Sequence, residues 1–185
     1  MALTKYNICS RALLRIGAKA ITAFDDSSSS ESVAAGKEYE PLVSEVLGSH
    51  RWRFAAKQFL LNRLTTGPLA RWTYAYQIPG DCLVLHAVTR NATPVLYDRY
   101  GDQIWTNEED DVTADYTFRQ VEALFPATFI KALTTNLEEV FGKVLRDHAI
   151  DDRRIAMAWQ AARTVESQQQ TTRRIVSSRL VSVRH

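Results

Sequence analysis

Apolar residues recur every three or four positions at both ends of the chain and roughly every two positions in its middle. Over 3–16, Ile8, Ala12, Leu13 and Ile16 share one face, while Lys5, Arg11 and Arg15 fall largely on the other, which predicts a first helix. Gly17 stands where a left-handed residue closes such a helix. A short extended crossing (18–24) and a polar loop (25–32) follow. A second helix is predicted over 30–49, with Ala35, Tyr39, Leu42 and Val46 as its stripe. Pro41 lies inside it, and an interior proline costs about 3 kcal/mol. The segment therefore kinks there or consists of two helices.

After residue 49 the period changes. Short strands are predicted over 58–64, 72–78, 82–89, 95–98, 103–106 and 112–118, separated by turns rich in Gly, Pro, Asn and Asp. The helical period returns at Pro126, a residue suited to the first helical position. Phe129, Ile130, Leu133, Leu137, Val140, Phe141, Val144 and Leu145 then form a continuous stripe. Asp151 is placed to cap a fourth helix whose stripe is Ile155, Ala158, Trp159, Ala162 and Val165. Residues 171–185 carry no helix caps and read as an extended arm. Helices with one apolar face need a partner, so those at the two ends of the chain are expected to bury each other. The expected fold is α+β. The N-terminal helices (1–57) and C-terminal helices (121–170) form a helical bundle, a block of short antiparallel strands (58–120) is inserted into it, and an extended C-terminal arm (171–185) follows.

Length and composition fit that plan. The chain has 185 residues, 45% of them apolar, enough for one domain with a real core, or one domain carrying an insertion. The net charge of +2 is unevenly spread. The arm holds Arg173, Arg174, Arg179 and Arg184 and no acid, which leaves 19 basic against 21 acidic side chains in the rest. Two cysteines, Cys9 and Cys82, make neither a disulfide framework nor a metal cluster and read as reduced cytosolic thiols. Residues 1–5 do not begin a signal peptide, and no apolar run approaches the ~18 residues of a membrane span. A soluble protein, made and first used inside the cell, is the expectation, with no membrane partner.

Little here suggests bond-making chemistry. Ser27–Ser30 invite a nucleophile reading, but serines just before a helix are favoured N-caps: Ser28 with Glu31, or Ser29 with Ser32. Glu108, Glu109, Asp110 and Asp111 are four consecutive acids. Cation loops alternate their ligands and include a glycine turn, so a solvated hairpin tip is the simpler reading. His50, His86, His148 and His185 lack metal-ligand spacing. Glu138-Glu139 and Asp151-Asp152 are adjacent pairs that diverge on a helix, poor acid/base partners. No GxGxxG, Walker A, HExxH or GxSxG motif is present. The expectation is a non-enzyme with no catalytic residue, no metal and no cofactor.

The point where helices give way to strands is the most distinctive. Between Leu47 and Asp81 stand Arg51, Arg53, Lys57, Arg63 and Arg71 with no acid, interleaved with Trp52, Phe54, Phe59 and Trp72. Such a segment suits a nucleic-acid surface, and a nucleic-acid-binding module using it and the basic tail is one functional reading. In the other, Trp52 and Phe54 anchor the junction in the core and Arg51 and Arg53 remain solvated or pair with a neighbouring subunit.

Several of these segments, taken in order, resemble the head-to-tail adaptor family of tailed bacteriophages, the tail tubular protein A-like connectors. Asn7-Ile8-Cys9-Ser10-Arg11-Ala12-Leu13-Leu14-Arg15-Ile16-Gly17 is similar to the family's opening helix. Residues 21–26 resemble its short crossing ending in acids, and Tyr39-Glu40-Pro41-Leu42-Val43 its mid-helix tyrosine and proline. Arg51-Trp52-Arg53-Phe54-Ala55 is similar to its tryptophan-x-phenylalanine-alanine junction, with Arg51 where a proline often stands. Tyr74-Ala75-Tyr76-Gln77-Ile78-Pro79-Gly80-Asp81-Cys82 resembles its strand-into-turn segment. The likeness covers about half of the chain; beyond Leu83 only the order of elements agrees.

The resemblance implies a structural protein of the virion neck, assembled in the host cytoplasm. Such a protein forms a twelve-fold homo-oligomeric ring between the portal protein and the tail or nozzle protein and helps retain packaged DNA, with nonspecific DNA contact. It implies that Arg173, Arg174, Ile175, Arg179, Leu180, Val183 and Arg184 of the arm bind the portal. It also implies that Arg51, Trp52, Arg53 and Phe54 serve assembly, and that the β insertion, with Glu108–Asp111 at a loop, faces tail components or the ring periphery.

Overall fold

The computed structural model describes residues 3–146 and 152–168. The described residues form four helices and two four-stranded antiparallel sheets, a mixed α+β architecture. The arm, with Arg173, Arg174, Ile175, Arg179, Leu180, Val183 and Arg184, lies outside the described residues, as does Asp151.

Helix α1 (Lys5–Arg15) starts two residues later than the periodicity suggests, because Thr4 caps it by accepting from the Asn7 N–H. Its end is as expected. Gly17 is left-handed (φ 73°), with Ala18 N–H donating to the Leu13 carbonyl and Gly17 N–H to that of Leu14, which satisfies two carbonyls of the last turn. The crossing is held by Ser10, whose hydroxyl donates to the Ile21 carbonyl (2.8 Å) and accepts from its N–H (3.0 Å). Helix α2 (Ser30–Ser49) is capped by Ser29, which accepts from the Ser32 N–H. It runs unbroken through Pro41, whose ring lies on the exposed side. Its buried side is rotated from the expected stripe: Ala35, Tyr39 and Val46 are inside as read, but Val43 and Leu47 are buried where Leu42 is only half so.

Helices α3 (Ala127–Arg146) and α4 (Asp152–Gln168) return to the same core. Helix α3 packs on all three other helices and buries Phe129, Leu133, Leu137 and Phe141 completely. Two expected core positions are outside: Val144 is 57% and Val165 37% exposed. In α4 the inward place beside Val165 goes to Glu166 instead.

The middle of the chain makes eight strands, more than the six segments read from alternation. They are β1 (Ala56–Leu60), β2 (Asn62–Arg63), β3 (Tyr74–Gln77), β4 (Cys82–Arg90), β5 (Thr93–Pro94), β6 (Tyr97–Tyr100), β7 (Gln103–Thr106) and β8 (Val112–Phe118). The sheets have the orders β1-β8-β4-β5 and β2-β3-β7-β6. The strand expected over 58–64 is split, because Leu61 dives into the core between β1 and β2 and passes the chain from one sheet to the other. The strand also begins two residues before the expected boundary at 58. Side chains from both sheets, Tyr76, Ile78, Val88, Ile104, Val112 and Tyr116 among them, enclose a second core separate from that of the helices. No helix among the described residues is long and apolar enough to cross a membrane.

Candidate functional site

Two segments join helices to strands, and they lie side by side. The first is 50–56, leading from α2 into β1. The second is 119–126, leading from β8 into α3. They are adjacent because β1 pairs with β8, Ala56 opposite Thr117.

Trp52 sits at the centre of the first segment and is 1% exposed. A tryptophan buried this deeply needs an acceptor for its N–H. It donates to the Val46 carbonyl (2.9 Å), one of the last-turn carbonyls that lack a backbone partner within the helix. Its ring meets Phe129 of α3 edge-on (5.0 Å between centroids) and lies 6.1 Å from Trp159 of α4 and 5.8 Å from Phe54. One side chain thus touches elements from both ends of the chain. The backbone that follows, a 3₁₀ turn at Arg53–Ala55, is held from two sides. The Arg53 N–H donates to Glu166 Oε1 (2.5 Å), and Gln120 Nε2 donates to the Phe54 carbonyl (2.8 Å). Glu166 therefore faces inward because a backbone donor in this turn needs an acceptor.

The second segment is tied to α2. Arg119 makes two bonds to Glu40 (3.0 Å each) and one to Glu122 Oε1 (2.5 Å), and Tyr39 donates to the same Glu122 oxygen (3.2 Å). Burial opposes the charge on Glu122, but the hydrogen bond from Arg119 prevails and holds its carboxyl below the usual value. Burial and then Glu122 push the Tyr39 phenol above its ordinary range.

The basic run of the junction is not a free positive surface. Arg51 pairs with Asp115 (3.6 Å), Lys57 with Asp81 (3.3 Å), Arg63 with Glu109 (3.3 Å) and Arg71 with Asp98 (3.3 Å). Arg53 is also engaged. Acids distant in sequence come back beside the cations, so a run without acids in sequence is matched in space. Arg63 and Arg71 also lie over the rings of Tyr74 and Trp72. The same pairing alters the acidic loop between β7 and β8. Glu108 binds Arg90 (2.6 Å) and Glu109 binds Arg63, and both backbone carbonyls accept from the Tyr76 hydroxyl. Glu109, Asp110 and Asp111 are exposed as expected of a solvated tip, Glu108 is half-buried, and Asp111 takes a left-handed conformation (φ 58°).

One residue escaped the periodic reading altogether. Glu138, on α3, is buried (1% exposed) and joins Arg15 of α1 to Arg154 of α4 (2.7 Å to the latter). Its neighbour Glu139 turns to Lys143. The adjacent pair does diverge, but one member is an internal cross-link of three helices.

Chemically reactive groups are quiet. Burial, with Glu122 and Glu40 adding to it, pushes the Cys9 thiol up to about 12. Burial also raises the half-buried Cys82 thiol. His86 Nε2 lies 2.7 Å from Thr117 Oγ1, and burial and Arg51 hold the ring below its ordinary pKa. Among the described residues no three His, Cys, Asp or Glu side chains gather as a metal site. The junction offers buried aromatic packing and matched charge, which suit a structural joint. No protein-family model matches the chain, and no curated protein matches it.

Proposed function

We propose that the protein is a structural head-to-tail adaptor of a phage virion, a ring-forming subunit that joins the portal to the tail or nozzle and helps retain packaged DNA. The observation that carries this reading is the place of Trp52. The segment most like the adaptor family's junction packs against α2, α3 and α4 at once, where the strands leave the helical core. A helical body made from both ends of the chain, with a strand insertion held on the adjacent strands β1 and β8, is the plan the resemblance calls for. In this reading the helices are the ring-forming bundle, the strand unit points to tail components or the periphery, and residues 171–185 form the arm that grips the portal. Matched charge along 51–71 supports a joint over a nucleic-acid-binding module, because neutralised cations release few counterions on binding DNA.

The test is assembly. Particle imaging or native mass measurement is expected to find rings of the protein, alone or with its portal. Deletion of residues 171–185 is expected to abolish portal docking while leaving the melting temperature unchanged. A protein that stays monomeric with and without portal refutes the adaptor reading; full-affinity docking by the truncated chain refutes the role of the arm.

A further inference from the structure

A cleft of about 740 Å³ opens between α3 and α4 beside the end of α1. It is lined by four cations, Arg15, Lys131, Arg153 and Arg154, and by the apolar Met157, Ala158 and Ala161. Arg15 and Arg154 must share the single Glu138 carboxylate, and Lys131 makes no ion pair among the described residues. Arg153 is engaged, and the other three cations have the one Glu138 carboxylate between them, an excess of two. Met157 is 68% exposed, a large apolar side chain left to solvent beside this charge. The cleft asks for an occupant with carboxylates at its edges and an apolar middle.

The chain itself supplies such a surface elsewhere. On the outer side of α2, Glu38 and Glu45 lie seven residues apart, so about 10.5 Å along one helical face. Neither makes an ion pair among the described residues, and neither lines the cleft. Leu42 and exposed Pro41 stand between them. On α3 the cleft runs from Thr128 to Thr135, the same seven-residue length. We propose that the α3–α4 cleft of one subunit receives the Glu38–Glu45 face of α2 from a second copy. The contact joins two different patches, so copies add head to tail, the arrangement that closes into a ring when the rotation permits. A lining without aromatic side chains favours this occupant over a nucleic-acid strand, which would want stacking partners.

This interface rests on the ring reading above, and a charge swap separates the two. Lys131→Glu, the pair Glu38→Lys/Glu45→Lys, and all three together are compared with the full-length chain by sedimentation at low and high salt. Thermal melts confirm that each variant is folded. Each reversal is expected to weaken self-association by roughly tenfold or more at low salt, since it sets like charges face to face. The combined variant should regain most of that loss. Rings that form undisturbed in the single-reversal variants overturn the interface and leave the adaptor reading standing. Absence of any self-association in the native chain, with or without portal, overturns both. Reversals that break assembly with no rescue in combination overturn the choice of α2. If Lys131→Glu instead loses salt-sensitive affinity for a DNA duplex while assembly is unchanged, the cleft holds phosphates and the proposal fails.

Discussion

Replacing Trp52 with alanine removes a side chain shared by α2, α3 and α4. The ring is 1% exposed, so nearly all of its area returns to solvent or becomes a void. Large aromatic truncations in such sites cost about 3–5 kcal/mol. The lost indole hydrogen bond adds about 1 kcal/mol. It adds no more than that, because the Val46 carbonyl also accepts from Ser49 Oγ (2.9 Å) and is not left bare. The sum, about 4–6 kcal/mol, is roughly a quarter or more of the stability of an ordinary domain. With a urea slope of about 2 kcal/mol per molar, the midpoint should fall by about 2–3 M. Trp52→Phe keeps most of the apolar contact and loses the N–H, so its midpoint should fall by less than half as much. Urea titration followed by far-ultraviolet circular dichroism measures both. A Trp52→Ala midpoint within about 0.5 M of the native value would refute the shared-anchor argument and return the segment to the surface. Stability should fail before any DNA contact changes.

Acid should weaken the fold in two windows. Burial holds His50 and His86 below their ordinary pKa of 6.5, with Arg163 and Arg51 adding to it respectively. Both rings are therefore less protonated folded than unfolded, and stability is lost as pH falls below 6.5. Glu122 is held below 4.5 by Arg119 against the effect of burial, so its contribution is present above 4.5 and lost as pH falls through the lowered value. Melting temperature against pH should show both declines; His50→Gln with His86→Gln should flatten the first and Glu122→Gln the second, and an unchanged profile in either variant contradicts the assignment. Cys9 is fully buried with its thiol raised to about 12, whereas Cys82 is only half-buried. A thiol reagent at neutral pH should modify Cys82 first and reach Cys9 only when denaturant unfolds the helices; equal rates in the native protein would contradict that order.

Each helix and most strands could be read from spacing alone, because burial on one side leaves a period of 3.6 or 2 in the sequence. What spacing cannot carry is partnership. The run from Arg51 to Arg71 reads as bare positive charge, yet Asp115 and Asp98 come from strands, and Glu109 from a loop between strands, whose pairing no local pattern encodes. Glu138 and Glu166 violate the period outright. They are charged residues on inward faces, and only the positions of Arg154 and the Arg53 N–H explain them. Leu61 was legible as apolar but not as the point where one strand becomes two. Of the two readings of the junction, the core-anchor one describes Trp52, which is buried, and in part Phe54, which is half-buried.

The adjacency of β1 and β8 also bears on how the chain finds its fold. The segments flanking the strand unit belong to one helical core, yet ~60 residues separate Ala56 from Thr117, and closing a loop of that length costs roughly 3–4 kcal/mol of chain entropy. Once β8 has paired with β1, that closure is already made, and α3 is delivered next to Trp52. Long-range strand pairing is in general slower than helix formation, which is fast and local. The strand pairing thus brings the two halves of the helical core together.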